Sequence, residues 1–116
     1  MDTYAQAVLI AEQLKALADP TRRSIFDLIR ARPASVRELS DQLPISQPAV
    51  SQHLKVLAAA GLARSESHGR QHIYSVDPEG VRALKGWIDD MWDDVLDAFV
   101  EAAEREADEG ERGDPS

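Results

Sequence analysis

The sequence predicts a mainly α-helical fold with one small β-hairpin, five helices in all, and a dimer made through the first and last of them. Three observations carry that expectation. Two short, capped helices follow one another between Ser35 and Gly61. Directly after Gly61 the apolar period drops from the helical value to two, the mark of strands. Residues 78–106 then hold one long helical stripe of large apolar side chains, wider than a body of short helices can easily cover.

Taken in order, residues 4–18 read as a first helix, with Val8, Ala11, Leu14, Leu17 and Ala18 at helical spacing. Asp19-Pro20 is an N-cap followed by proline at the first helical position, where no intrahelical donor is lost. The helix it opens runs to about Ala31, buries Ile25, Leu28 and Ile29, and cannot pass Pro33. Arg22, Arg23, Arg30 and Arg32 make it basic. A solvated face explains each arginine; phosphate contact, or pairing with Asp27 or the acidic end, are the alternatives. Ser35 and Glu38 form a capping box, and Val36, Leu39 and Leu43 give the third helix its apolar side before Pro44 closes it.

Ser46 restarts the chain as an N-cap, with Pro48 tolerated in the first turn. On a helical wheel Val50, Leu54 and Leu57 share one side, and Gly61 ends the helix. Pro48, Ser51, Gln52, Lys55 and Ala59 fall opposite, and Gln47 sits at the edge of the first turn. That outward face is short and polar, with one cation and no acid. Gln can pair bidentately with adenine, Ser with several base edges, and Lys with phosphate or guanine. The free N–H groups of the helix end, at Ser46, suit a phosphate. Two helices joined by a short turn, the second presenting such a face, make a helix-turn-helix.

Leu62–Ser67 and Gln71–Val76 read as strands, with His68-Gly69 as the turn. Tyr74 and Val76 are expected to point inward and Ile73 to the other face of the sheet. A hairpin directly after a recognition helix is the wing of a winged helix. Its tip, His68 to Arg70, can lie against a minor groove or a phosphate chain.

Asp77-Pro78 repeats the cap-plus-proline start and opens the longest helix, about 78–106. Its stripe includes Leu84, Trp87, Ile88, Met91, Trp92, Val95 and Phe99. Aromatics and methionine are enriched at interfaces. We expect one side of the stripe to pack on residues 4–18, and the other, with Val8, to meet a second copy in a twofold dimer. Residues 1–106 would then be one DNA-binding and dimerisation domain, and 107–116 a flexible acidic tail.

Three blocks resemble the ArsR (arsenical-resistance repressor) family of winged-helix regulators: LADPTRRSIFDLI (17–29), SQPAVSQHLKVLAAAGL (46–62) and GRQHIYSVDP (69–78). The resemblance spans roughly residues 5–100. It implies a symmetric homodimer that represses an operator and often answers to a metal or other signal. Metal-sensing members carry a Cys-x-Cys pair where this chain has Ser35 and Arg37, or Asp and His ligands on the last helix, where this chain has no His beyond His72. Metal sensing is therefore not carried over, and no metal or other cofactor is expected.

Composition bounds the rest. The 116 residues fit one domain, and no stretch approaches the roughly 20 apolar residues of a membrane span. There is no signal-peptide pattern, so the expected location is cytoplasmic. With no cysteine there is no disulfide, thiolate nucleophile or soft-metal site. The net charge of −8 hides a split. Residues 1–21 hold one Lys/Arg against three Asp/Glu, residues 22–76 eight against four, and residues 77–116 four against fourteen. The segment assigned to DNA is the basic one, and local field governs phosphate contact.

Other candidates have plainer explanations. His53, on the flank of the recognition helix, is expected to pack against a neighbouring helix. His68 and His72 straddle a turn and do not suit a metal. Asp89, Asp90, Asp93, Asp94 and Asp97 spread over a convex helix instead of converging on one ion. No constellation for catalysis is present. The expected function is a homodimeric, sequence-specific repressor of an inverted-repeat operator in double-stranded DNA. Gln47, Ser51 and Gln52 would read bases, while Lys55, His68 and Arg70 hold phosphates. The alternative is a protein-interaction module that uses the acidic, aromatic last helix. The sequence names no effector.

Overall fold

Side-chain caps and prolines set where all but the first of the helices begin. In the computed structural model, which describes residues 3–113, the helices are α1 (Thr3–Ala18), α2 (Pro20–Ala31), α3 (Val36–Gln42), α4 (Gln47–Ala59) and α5 (Pro78–Gly113). The strands are β1 (Ala34–Ser35), β2 (Ala63–His68) and β3 (Gln71–Val76). Asp19 caps α2 by accepting from the backbone N–H of Arg22 at 2.8 Å. Both arms of the Ser35/Glu38 box are made, at 3.1 and 3.2 Å. Ser46 accepts from the Ala49 N–H at 3.3 Å and starts α4.

The chain divides into two compact units, Met1–Leu84 and Lys85–Ser116. The first is built around Ile25, Ile29, Leu39, Val50, Leu54, Leu57 and Leu62, all nearly inaccessible. Apart from Leu62, which follows α4, these are the inward sides of α2, α3 and α4 expected from their spacing. Leu28 is only half-buried against this core. In the second unit α5 continues with every described side chain from Lys85 to Gly110 exposed.

Several sequence expectations are corrected. The inward side of α1 is Ile10, Gln13 and Ala16, with Leu17 half-buried; Val8, Ala11, Leu14 and Ala18 are exposed. The helix has two apolar sides, and the buried one contains a glutamine. Gln13 is tolerated inside because its Nε2 donates to the Gly80 carbonyl at 2.8 Å. Leu84 belongs to the first unit's core at 8% exposure, so it is not on the exposed stripe with Trp87 and Met91. Helix α5 extends to Gly113, so residues 107–113, read as a polar tail, continue the helix. Ala, Glu and Arg are strong helix formers and override the tail-like polarity there. Residues 114–116 lie outside the described residues.

The sheet has three strands in the order β1-β3-β2, all antiparallel. The two-residue β1, unrecognised in the sequence, pairs Ala34 with Tyr74 and Ser35 with Ile73. In the hairpin, Ala63 faces Val76 and His68 faces Gln71. The turn is therefore Gly69-Arg70, one residue later than expected, and Gly69 supplies the positive φ of 66° that a tight hairpin turn needs. Tyr74 and Val76 pack against the core, as their alternation predicts.

Helix α4 ends in a Schellman motif. Leu62 N–H donates to the Leu57 carbonyl at 2.9 Å and Gly61 N–H to the Ala58 carbonyl at 3.0 Å, with Gly61 at φ 76°. The Asp77 N–H then donates to the Leu62 carbonyl at 3.0 Å, tying the end of β3 to the start of the hairpin. The base of the hairpin is thus fixed to the end of α4 by backbone alone.

Candidate nucleic-acid interface

Helix α4 is anchored by Val50, Leu54 and Leu57, each fully buried. Burying those three positions forces the opposite side of the same helix into solvent. Pro48, Gln52, Lys55 and Ala59 are exposed there, as are Ser46 and Gln47 at the helix start; Ser51 is half-buried at the margin. The Gln47, Gln52 and Lys55 side chains make no hydrogen bond or ion pair among the described residues, so their donors and acceptors are free for a partner. Ser46 is committed: its hydroxyl already caps the helix. It can present itself to a phosphate only together with the helix end it holds.

His53 is half-buried on the flank of α4. The nearby Asp19 is the cap of α2. The Asp19 carboxyl is held below its ordinary value first by the Arg22 backbone N–H. The charges of Arg22 and His53 also lower it, against a partial desolvation that raises it. His53 is thus half-buried beside the face on which Gln52 and Lys55 are exposed.

At the wing tip His68 and Arg70 are exposed. His68 Nε2 lies 3.4 Å from Glu66 Oε2, a solvent-exposed pair of little energetic weight. Arg70 makes no bond among the described residues. His72 lies across the hairpin from Ser67, its Nδ1 3.5 Å from the hydroxyl, so the ring is not directed at His68. No group of three or more metal-ligating side chains comes together among the described residues. Arg64, exposed near the base of β2, is a further cation on the wing that sequence reasoning did not single out. Strand alternation from Ala63 inward to Arg64 outward was the available signal.

The first unit therefore presents an exposed polar helix face and a basic hairpin tip on one compact body. That arrangement can meet base edges with amides and hydroxyls and the backbone with cations. No described helix is long and apolar enough to cross a membrane.

Comparison with known proteins agrees. A family model described as a helix-turn-helix domain matches residues 17–66. The HTH-type transcriptional regulator Rv2034 of Mycobacterium tuberculosis is 41% identical over 95 residues, covering 82% of this chain and 89% of that protein. The HTH-type transcriptional repressor SmtB of the same species is 48% identical over 93 residues, covering 80% of this chain but 62% of SmtB. The fold superposes on an ArsR-like transcriptional regulator from Rhodococcus sp. RHA1 with a TM-score of 0.66 at 31% identity, covering 87% of this chain and 95% of that one. With its capped reading helix, its wing and these relatives, the chain belongs to the ArsR family of winged helix-turn-helix transcriptional regulators, DNA-binding proteins and not enzymes.

Proposed function

We propose that this chain works as a cytoplasmic homodimeric repressor that occupies an inverted-repeat operator. The carrying observation is the exposed, unbonded polar face of α4, standing on a helix whose other side is locked into the core. Gln47, Ser51 and Gln52 read base edges; Lys55, His68, Arg70 and the Ser46 end of α4 hold phosphates; Pro48 keeps the first turn of α4 in shape at the groove.

Pairing rests on the apolar sides left uncovered. Trp87, Ile88 and Met91 are about two-fifths exposed, Trp92 57%, Val95 50% and Phe99 70%, and Val8 on α1 is 45% exposed. Contiguous patches of this kind mark association surfaces. A twofold dimer covers them and sets two reading helices roughly 34–36 Å apart, in successive major grooves.

The test is fluorescence anisotropy with duplex DNA from upstream of the protein's own gene, at two salt concentrations, beside a scrambled duplex. Tight, salt-sensitive binding that prefers the native duplex is expected. Equal weak binding to both defeats the sequence-specific reading. Absence of binding at low salt favours the second reading, in which the acidic chain (pI ≈ 4.7) uses the exposed aromatic stripe of α5 to hold a protein partner.

A further inference from the structure

The outer face of α4 offers DNA few cations: Lys55 on the helix, with Arg64 and Arg70 on the wing. Phosphate neutralisation dominates affinity for DNA, and a chain of net charge −8 needs its cations placed where the backbone passes. A cleft of about 250 Å³ lies on the flank of α4, where Lys15 and Glu12 of α1, Arg22 of α2 and Val56 and Ala59 of α4 meet. We propose that this cleft grips a DNA backbone phosphate, with Lys15 and Arg22 as its cationic partners. The inference rests on the DNA-reading role of α4.

Position supports it. Val56 follows Gln52 by one turn, about 40° around the helix, so the cleft opens where the reading face ends. Preorganisation supports it too. Arg22 is anchored by its own helix start, and its Nε donates to the Ala16 carbonyl at 2.9 Å, capping the end of α1. The terminal guanidinium nitrogens of Arg22 and the ammonium of Lys15 make no hydrogen bond or ion pair among the described residues. An arginine already held by one nitrogen loses less freedom when the others bind. Val56, 42% exposed, offers an apolar surface to the deoxyribose beside the phosphate. Glu12 shares the cleft and opposes an anion there, which gives the proposal a substitution of opposite sign.

The experiment measures duplex binding over a salt series for the wild-type protein and for Lys15→Gln, Val56→Asp and Glu12→Gln, each first shown by circular dichroism to melt as the parent does. Lys15→Gln is expected to lower the slope of log K against log salt by about 0.9 per lost contact, and to weaken native and scrambled duplexes by the same factor. Each lost contact then removes roughly eightfold of affinity per tenfold drop in salt. Val56→Asp is expected to weaken both duplexes, and Glu12→Gln to tighten both. An unchanged slope in Lys15→Gln, or a loss confined to the native duplex, overturns the phosphate site. If Gln52→Ala still impairs the native duplex in that case, the reading face survives. A wild-type protein with no affinity for either duplex overturns both.

Discussion

Replacing Gly80 by alanine tests the junction that holds α1, the end of α4 and the start of α5 together. A Cβ built on Gly80 would lie 1.6 Å from the Gly61 carbonyl oxygen and 2.6 Å from its carbon. Real Cβ contacts essentially stop at 3.0 Å, so one backbone must retreat by at least 1.4 Å (3.0 less 1.6). Neither side yields easily. Gly61 is fixed by the Schellman bonds at the end of α4, and Gly80 sits in the first turn of α5 beside the Asp77–Leu62 bond. Retreat also strains the bond from Gln13 Nε2 to the Gly80 carbonyl, the one hydrogen bond satisfying that buried amide, whose Oε1 already has no partner among the described residues. Alanine for glycine inside a helix normally gains about 1 kcal/mol. Overpacking costs about 1–3 kcal/mol and an orphaned buried amide about 1–3 kcal/mol more. The expected net loss is about 1–5 kcal/mol, and a loss near the middle of that range lowers the melting temperature by about 10–20 °C. Thermal and urea denaturation followed by far-ultraviolet circular dichroism measure it. Gly86→Ala, on the same helix but with nothing within 4 Å of the added carbon, is the control and should melt no lower than the parent. A Gly80→Ala protein that melts at or above wild type would refute the argument that this contact is rigid.

Four further outcomes are expected. Gln52→Ala should weaken binding to the native duplex more than to a scrambled one, by about 1–3 kcal/mol if a bidentate base pair is lost; equal losses in anisotropy titrations remove Gln52 from the base-reading set. Arg70→Ala should weaken both duplexes and flatten the salt slope by about one unit, and an unchanged slope removes it from the phosphate set. Met91→Lys should convert the proposed dimer to monomer in sedimentation velocity at micromolar protein without lowering the helix content, since the residue is exposed within its own chain; a sedimentation coefficient unchanged from wild type removes Met91 from the seam. Asp19 has its carboxyl pKa depressed below the ordinary 3.8 in the folded state. Its charged form thus favours folding above that value, and the benefit is lost as pH falls through the native pKa. Urea midpoints of wild type and Asp19→Asn should therefore differ most above pH 3.8 and converge in stronger acid.

Much of the fold was legible because its punctuation is local. Ser35 with Glu38, Ser46, Asp19-Pro20 and Gly61 act through bonds to residues three or four positions away, so the sequence carries them directly. The errors lie where distant partners decide. The inward side of α1 was not legible in the spacing, because Gln13 is buried by a carbonyl 67 residues away, while the more apolar Val8 and Leu14 stay exposed. β1 is two residues long and has no period to detect; it exists because β3 offers it an edge. Leu84 sits at helical spacing with Ile88 and Met91, and the pattern alone cannot show that only Leu84 reaches a core. The polar face of α4 was legible because one amphipathic helix defines it. The cleft beside it was not: Val56 is far along the chain from Lys15 and Arg22, and the three meet only when α1, α2 and α4 pack.

The way the wing is fastened has a consequence for how its reach can change. β1 pairs only with Ile73 and Tyr74, and the backbone bond between Asp77 and Leu62 pins the hairpin's foot. Beyond Ile73, toward the tip, β2 and β3 hold only each other. Lengthening each by two residues, between Ser67 and His72, would carry the tip about 7 Å further and leave every contact of Tyr74 and Val76 untouched. Adding one residue to a single strand would turn the inward side chains outward or force a bulge. Span along the DNA is thus adjustable in steps of two residues per strand, independently of the reading helix, so relatives built on this plan can differ in footprint while sharing one core.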